Sequence, residues 1–133
     1  MTFEEMKAQY CGKNIRKKPS HEEDDLQTRA VAWFDSHYHV YKKLLFHPSN
    51  GGKRNAIEAA KFKRMGVRPG VADLMLIIPN RVYPYMCIEL KSKKGKQSEH
   101  QKDFQRIVEL AGAKYVICRS LEEFIAVVTD YLK

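Results

Sequence analysis

Two apolar runs of strand length carry charged residues where a buried strand would admit none. Ala72–Ile78 contains Asp73, and Tyr85–Lys91 contains Glu89 and Lys91. Pro79-Asn80 closes the first run with a turn signal, and the short link makes the two runs neighbours in one sheet. Strand side chains alternate between faces. Tyr85, Cys87, Glu89 and Lys91 therefore share one face, and Met86, Ile88 and Leu90 the other. Asp73 groups with Met75 and Ile77, so it is expected to face Glu89 and Lys91 across the pair.

Each charge has an ordinary structural explanation. An Asp at the start of a strand is a turn residue, and a Glu-x-Lys at a strand end is a solvated edge. Their combination demands more. Two carboxylates about 4 Å apart repel by roughly 4 kcal/mol at an effective dielectric near 20. Such a pair needs a shared proton or a nearby cation, and an oxygen-rich site suits Mg²⁺ or Mn²⁺. One lysine cannot balance several carboxylates, which points the same way.

The rest of the chain reads as one α/β domain. Residues 1–19 are polar and basic, an arm or short helix ahead of a domain over 20–133. Pro19-Ser20 opens a helix to about Ser36, with Leu26, Ala30, Trp33 and Phe34 as its buried stripe. Ser20 and Glu23 read as a capping box. Glu23 and Gln27, four apart, also share a face that could reach the acidic pair. The spacing predicts a strand over 38–47, a turn-rich loop over Pro48–Gly52, and a basic helix over Asn55–Met65. His37, His39 and His47 form no histidine-centred metal pattern. Ser98 and Gln101 form a second capping box, leading a helix that buries Phe104, Ile107, Val108 and Ala111. Tyr115–Cys118 reads as a third core strand. A last helix packs Leu121, Phe124, Ile125, Val128 and Leu132 inward, and Ala126, Val127 and Tyr131 beside that stripe offer a patch for a homodimer. This order implies a central mixed sheet flanked by helices.

Net charge decides the partner class. Twenty-four Lys and Arg against 16 Asp and Glu give +8, which favours a polyanion, by default nucleic acid. Lys53, Arg54, Lys61, Lys63, Arg64 and Arg68 precede the Asp73 run, and Lys93, Lys94 and Lys96 follow Lys91. A solubilising surface would also explain such runs, but their placement on both flanks of the acids favours phosphate binding. No apolar run is long enough to span a membrane, and the N-terminus is too polar for a signal peptide. Cys11, Cys87 and Cys118 are odd in number and lack Cys-x-x-Cys spacing, so neither a disulfide framework nor a zinc ribbon is indicated. A reducing, cytoplasmic setting follows.

In order and spacing, the motifs resemble the PD-(D/E)XK nuclease core, and more narrowly a small VRR-NUC domain of the phage type. The features that carry the resemblance are Glu23-x-x-Leu26-Gln27, Pro48-Ser49-Asn50-Gly51-Gly52 and Gly66-Val67-x-x-Gly70-Val71-x-Asp73. Glu89-Leu90-Lys91 and Ser98-x-x-Gln101 complete it. Ala72 stands where that family usually has the proline of its name. The resemblance implies a restriction-endonuclease-like core and a divalent-metal-dependent DNA endonuclease acting on branched or duplex DNA, four-way junctions included. It implies bacterial or phage-encoded origin in a host cytoplasm. Asp73, Glu89, the Leu90 carbonyl and Glu23 would be the metal ligands. Lys91 would orient water or offset phosphate charge, with Gln27 and Gln101 positioning water or substrate. Lys53, Arg54, Arg68, Lys93, Lys94 and Lys96 would bind nucleic acid. The alternative is a non-catalytic nucleic-acid-binding domain on a nuclease-like core. Such decay would have lost an acid or the lysine, and all are present.

Overall fold

The structure, a computed structural model, describes residues 19–49 and 55–133. The expected arm, the Asn50–Gly52 turn, Lys53 and Arg54 lie outside the described residues. The elements in order are α1 (Pro19–His37), a 3₁₀ helix (His39–Leu44), β1 (Leu45–Phe46), α2 (Ala56–Arg64), β2 (Leu74–Leu76) and β3 (Met86–Leu90). α3 (Glu99–Leu110), β4 (Lys114–Cys118) and α4 (Leu121–Tyr131) follow. The strands form one mixed sheet in the order β1-β2-β3-β4; β1/β2 and β2/β3 are antiparallel and β3/β4 parallel. The fold is therefore the expected α/β core, a mixed sheet flanked by helices.

Alternation along β3 sorts the core into two layers. Ile88 and Leu90 pack with Leu26, Ala30 and Phe34 of α1 and with Phe124 and Val128 of α4. On the opposite face Cys87 meets Ala72, Val108, Ala113 and Tyr115 in a smaller layer beneath α3. α3 is the crossover that the parallel β3/β4 pair requires. Its start is fixed by Ser98, whose Oγ accepts from Gln101 N while Gln101 Oε1 accepts from Ser98 N. Gly70, at φ +77°, lies against the first turn of α3; a Cβ there would overlap the backbone of His100. α2 is capped by Asn55, whose side chain accepts from Glu58 N, and buries none of its residues.

Residues 38–47 depart from the expected strand. Tyr38 continues the turn of α1 by donating its N–H to Phe34 O at 2.7 Å. Its ring stacks on Phe34 with centroids 5.3 Å apart. With Tyr38 drawn into the helix end, the chain tightens into a 3₁₀ helix and only Leu45 and Phe46 pair, opposite Leu76 and Met75. The apolar–polar alternation there serves no sheet face, since Val40 and Tyr41 are exposed.

The expected patch on the last helix also contracts. Tyr131 is only 2% exposed. Its hydroxyl donates to Ile78 O at 2.6 Å, and Asn80 Nδ2 donates back to Tyr131 O at 3.2 Å. Tyr131 thus pins α4 to the β2–β3 connection and contributes no free surface. Cys87 and Cys118 are buried free thiols, as expected. Among the described residues no helix is long and apolar enough to cross a membrane.

Candidate nuclease site

The site forms where β2 begins and β3 ends, beside the turn that follows β3. The antiparallel register pairs Leu74 with Ile88, so the next step along the ladder brings Asp73 opposite Glu89. Asp73 Oδ2 accepts from Leu90 N at 2.6 Å, which joins the first acid to the backbone between Glu89 and Lys91. From outside the sheet, His47 Nδ1 meets Asp73 O at 2.6 Å. This histidine therefore holds the acid's backbone.

Burial raises the pKa of Asp73 above the ordinary carboxylate range. The Leu90 N–H opposes that rise, the negative charges of Glu23 and Glu89 add to it, and Lys91 counteracts them. These influences tie Glu23, Asp73, Glu89 and Lys91 into one electrostatic unit. Glu23 reaches it from α1, where its Oε1 accepts from Ser92 N at 3.4 Å. Glu23 thus turns toward the segment after β3; the side chain of Ser20, its expected capping partner, lies outside the described residues. Gln27 is half-buried one turn further along α1. Gln101 holds the start of α3, its Oε1 engaged by Ser98 N.

Glu89 is the most constrained of the acids. It is fully buried. Its Oε1 accepts from the Tyr115 hydroxyl and from Gln97 Nε2, the latter at 3.1 Å. Gln97 Nε2 also donates to Gln105 Oε1 at 2.8 Å. Burial, followed by the hydrogen bond to Glu89 and its charge, pushes the Tyr115 pKa up, so the phenol stays protonated as a donor. Oε2 of Glu89 has no hydrogen-bond partner among the described residues. A buried charged oxygen left in that state costs more than the roughly 1–3 kcal/mol of a neutral unsatisfied group.

Lys91 is buried at 8% exposure, and its N–H donates to Cys118 O at 3.0 Å. The turn after it is held by Arg119, whose Nη1 donates to Ser92 O at 2.7 Å, Lys93 O at 3.3 Å and Gly95 O at 2.7 Å. A Cβ on Gly95 would press on Ser92 Oγ at 3.0 Å and Glu23 Oε1 at 3.3 Å, so those side chains would have to give way. Lys93, Lys94 and Lys96 on this turn are all exposed. An open cavity of about 810 Å³ runs from α1 past this turn to the β4–α4 junction, lined in part by Arg29, Lys91, Lys93, Lys94 and Arg119. Lys91 links it to the acids; Asp73 and Glu89 do not line it. Arg68 is exposed and donates to Lys63 O at 3.2 Å, at the end of α2.

A family model for the VRR-NUC domain matches residues 11–122. The chain belongs to the VRR-NUC family. A solved structure described as a VRR_NUC domain protein is similar at 27% identity with a TM-score of 0.72, covering 83% of this chain and 87% of the other. Comparison with curated proteins gave no match. Membership gives this VRR-NUC domain a nuclease-like function and a nucleic-acid substrate, in keeping with its +8 charge.

Three participants escaped the sequence reading. Tyr115 looks like a core aromatic, Gln97 like part of a basic turn, and Arg119 like a turn residue. Tyr115 becomes visible only through the parallel register, which pairs it with Cys87. That places it diagonally beside Glu89, within reach of a long side chain.

Among the described residues no three His, Cys, Asp or Glu side chains converge into a cluster able to enclose a metal ion. A closed cage is what zinc uses. Mg²⁺ typically takes one or two carboxylates and completes its shell with waters and substrate phosphates. Asp73 and Glu89, whose Oε2 has no partner among the described residues, are the two carboxylates such an open arrangement would use.

Proposed function

We propose that this VRR-NUC domain is a Mg²⁺- or Mn²⁺-dependent DNA endonuclease that hydrolyses phosphodiester bonds, with a preference for branched DNA. The observation that carries the reading is the fully buried Glu89, with one oxygen lacking a partner among the described residues, beside an Asp73 whose pKa is raised. Two acids held in this way need a shared proton or a cation between them, and a nuclease-like domain acting on a polyanion favours the cation.

Asp73 and Glu89 would hold the ion, with the Leu90 carbonyl and Glu23 completing or assisting the set. When bound, the ion supplies Lewis-acid chemistry, lowering the pKa of a water and offsetting charge on the scissile phosphate. The chain's own groups do the rest. Lys91, braced at the end of β3, supplies positive charge next to the acids and orients the phosphate or the attacking water. Lys93, Lys94 and Lys96 grip the flanking phosphates from the Arg119-held turn. Gln27 lies on the same face of α1 as Glu23 and positions substrate. Gln101, engaged in the cap of α3, contributes stability to that helix and stands apart from the chemistry.

The test is incubation of the full chain with Mg²⁺, Mn²⁺ or EDTA and a panel of duplex, flap, single-stranded and four-way-junction DNAs. Metal-dependent cleavage, strongest on branched substrates and absent in Asp73→Ala, is the expected result. Binding to all substrates with no cleavage in either metal would leave a non-catalytic binding domain in its place. Symmetric cutting of a four-way junction needs two sites, which a homodimer would supply; sedimentation of the free protein decides that point.

A further inference from the structure

Glu89 is fully buried, yet its two oxygens live in different surroundings. Oε1 receives a hydroxyl from β4 and an amide from the turn before α3, while Oε2 receives nothing among the described residues. Gln97 is itself held in place. Its Nε2 has two hydrogens, one spent on Glu89 and one on Gln105 Oε1 at 2.8 Å. Turning the amide over would set its oxygen against two oxygen acceptors, so the donor orientation is locked. Tyr115 approaches from the adjacent parallel strand and closes the other side.

We propose that Tyr115 and Gln97, the latter backed by Gln105, are positioning residues that occupy Oε1 of Glu89 and leave only Oε2 to face a divalent cation, thereby favouring a small octahedral ion over Ca²⁺. The inference rests on the metal-site reading above and adds to it a source of ion selectivity. The physical link is the number of oxygens offered. Ca²⁺ takes six to eight oxygens and often uses a carboxylate through both of them, whereas Mg²⁺ demands near-octahedral geometry with few protein ligands. A glutamate with one oxygen held by two donors cannot rotate to offer both. Hydrogen bonds to ligating carboxylates set their orientation, and losing such a partner typically costs about 10–100-fold in metal affinity.

The experiment measures metal binding without nucleic acid. Mn²⁺ affinity of the full chain is read by calorimetry and by the Mn²⁺ paramagnetic resonance signal, and Ca²⁺ affinity by competition. Wild type, Tyr115→Phe and Gln97→Leu are compared. Tyr115→Phe is expected to weaken Mn²⁺ by about 10–100-fold and to narrow the preference for Mn²⁺ over Ca²⁺; Gln97→Leu shifts both in the same direction. Should Tyr115→Phe fail to fold, Gln97→Leu, at a half-buried turn position, decides alone. A purely structural role would lower the melting temperature of the metal-free protein and leave the ion preference unchanged, which would overturn the proposal. Mn²⁺ binding by wild type with unchanged affinity and preference in the variants sinks the clamp and leaves the metal site standing. No Mn²⁺ binding by wild type removes both.

Discussion

The two faces of the central sheet are built to opposite rules. The face beneath α1 and α4 is a dry layer of large side chains, with Phe34, Leu74, Leu76, Ile88, Leu90 and Phe124 all essentially inaccessible. The face beneath α3 is shallower and fills its space with Ala72, Cys87, Ala113 and a tyrosine, and it buries a carboxylate next to a second acid. One layer stabilises the fold; the other holds charge out of water at a cost the first layer must offset. The difference teaches where substitutions should act. Changes on the α1/α4 face should move stability, and changes on the α3 face should move chemistry.

The sharpest way to break that division is to compare Asp73→Ala or Glu89→Ala with Phe124→Ala. The acid variants are expected to lose cleavage to background while shifting their unfolding midpoint far less than Phe124→Ala does, since relief of carboxylate repulsion offsets the donors left unpaired. Phe124→Ala should lose about 3–5 kcal/mol, read by chemical denaturation. An Asp73→Ala protein cutting at the wild-type rate would erase the distinction. Glu23→Gln is the next largest case, because Glu23 belongs to a helix of the dry face but turns toward the acids. Cleavage should fall by about 10–100-fold with the melting temperature unmoved; normal cleavage would return Glu23 to a purely structural role.

Smaller effects sharpen the comparison. Replacing Lys93, Lys94 and Lys96 with alanine should weaken binding to every sequence alike. The salt slope should shrink by about 0.9 for each phosphate no longer neutralised. Altered base preference at an unchanged slope would contradict phosphate binding by this turn. Gln101→Ala should cost about 1 kcal/mol as half of a capping box with turnover intact; a large loss of turnover at unchanged stability would instead make it part of the site.

The smallest effect is on pH. The folded pKa of Asp73 is raised, chiefly by burial, so the folded state binds its proton more tightly than the unfolded chain does. The stability linked to that proton is fully present below the unfolded carboxylate pKa and is lost as pH rises through the folded value. Metal-free protein should therefore melt lower as pH climbs through that window, and Asp73→Asn should flatten the dependence. An unchanged pH dependence in Asp73→Asn would remove Asp73 as its source.

What could be read from the chain follows from this asymmetry. Asp73, Glu89 and Lys91 were legible because charges inside apolar strands contradict their surroundings. The helices were legible from their stripes and caps, as at Ser98, although the stripe expected on α3 narrows to Phe104 and Val108, with Ile107 and Ala111 exposed. Tyr115 and Gln97 were not, because nothing in a local window links residue 115 to residue 89; the parallel register does so only after α3 has crossed over. Residues 38–47 misled because alternation signals a strand only when a partner is free. Here Tyr38 was taken by Phe34 and Trp33. Tyr131 misled for a similar reason, since a helical stripe broad enough to suggest a partner surface is also what a helix seated against a strand connection presents.

Gly70 has a consequence for how the site tolerates motion. Its bare Cα sits directly on the His100 backbone, so the segment leading into Asp73 and the segment leading out of Gln97 touch main chain to main chain, with no side chain between them to act as a cushion. Side chains absorb small displacements by changing rotamer, and two backbones pressed together cannot. α3 therefore has little freedom to slide along its own axis without carrying the approach to Asp73 with it. The spacing between the first acid and the donors that hold the second is in effect gauged by a single missing methyl group.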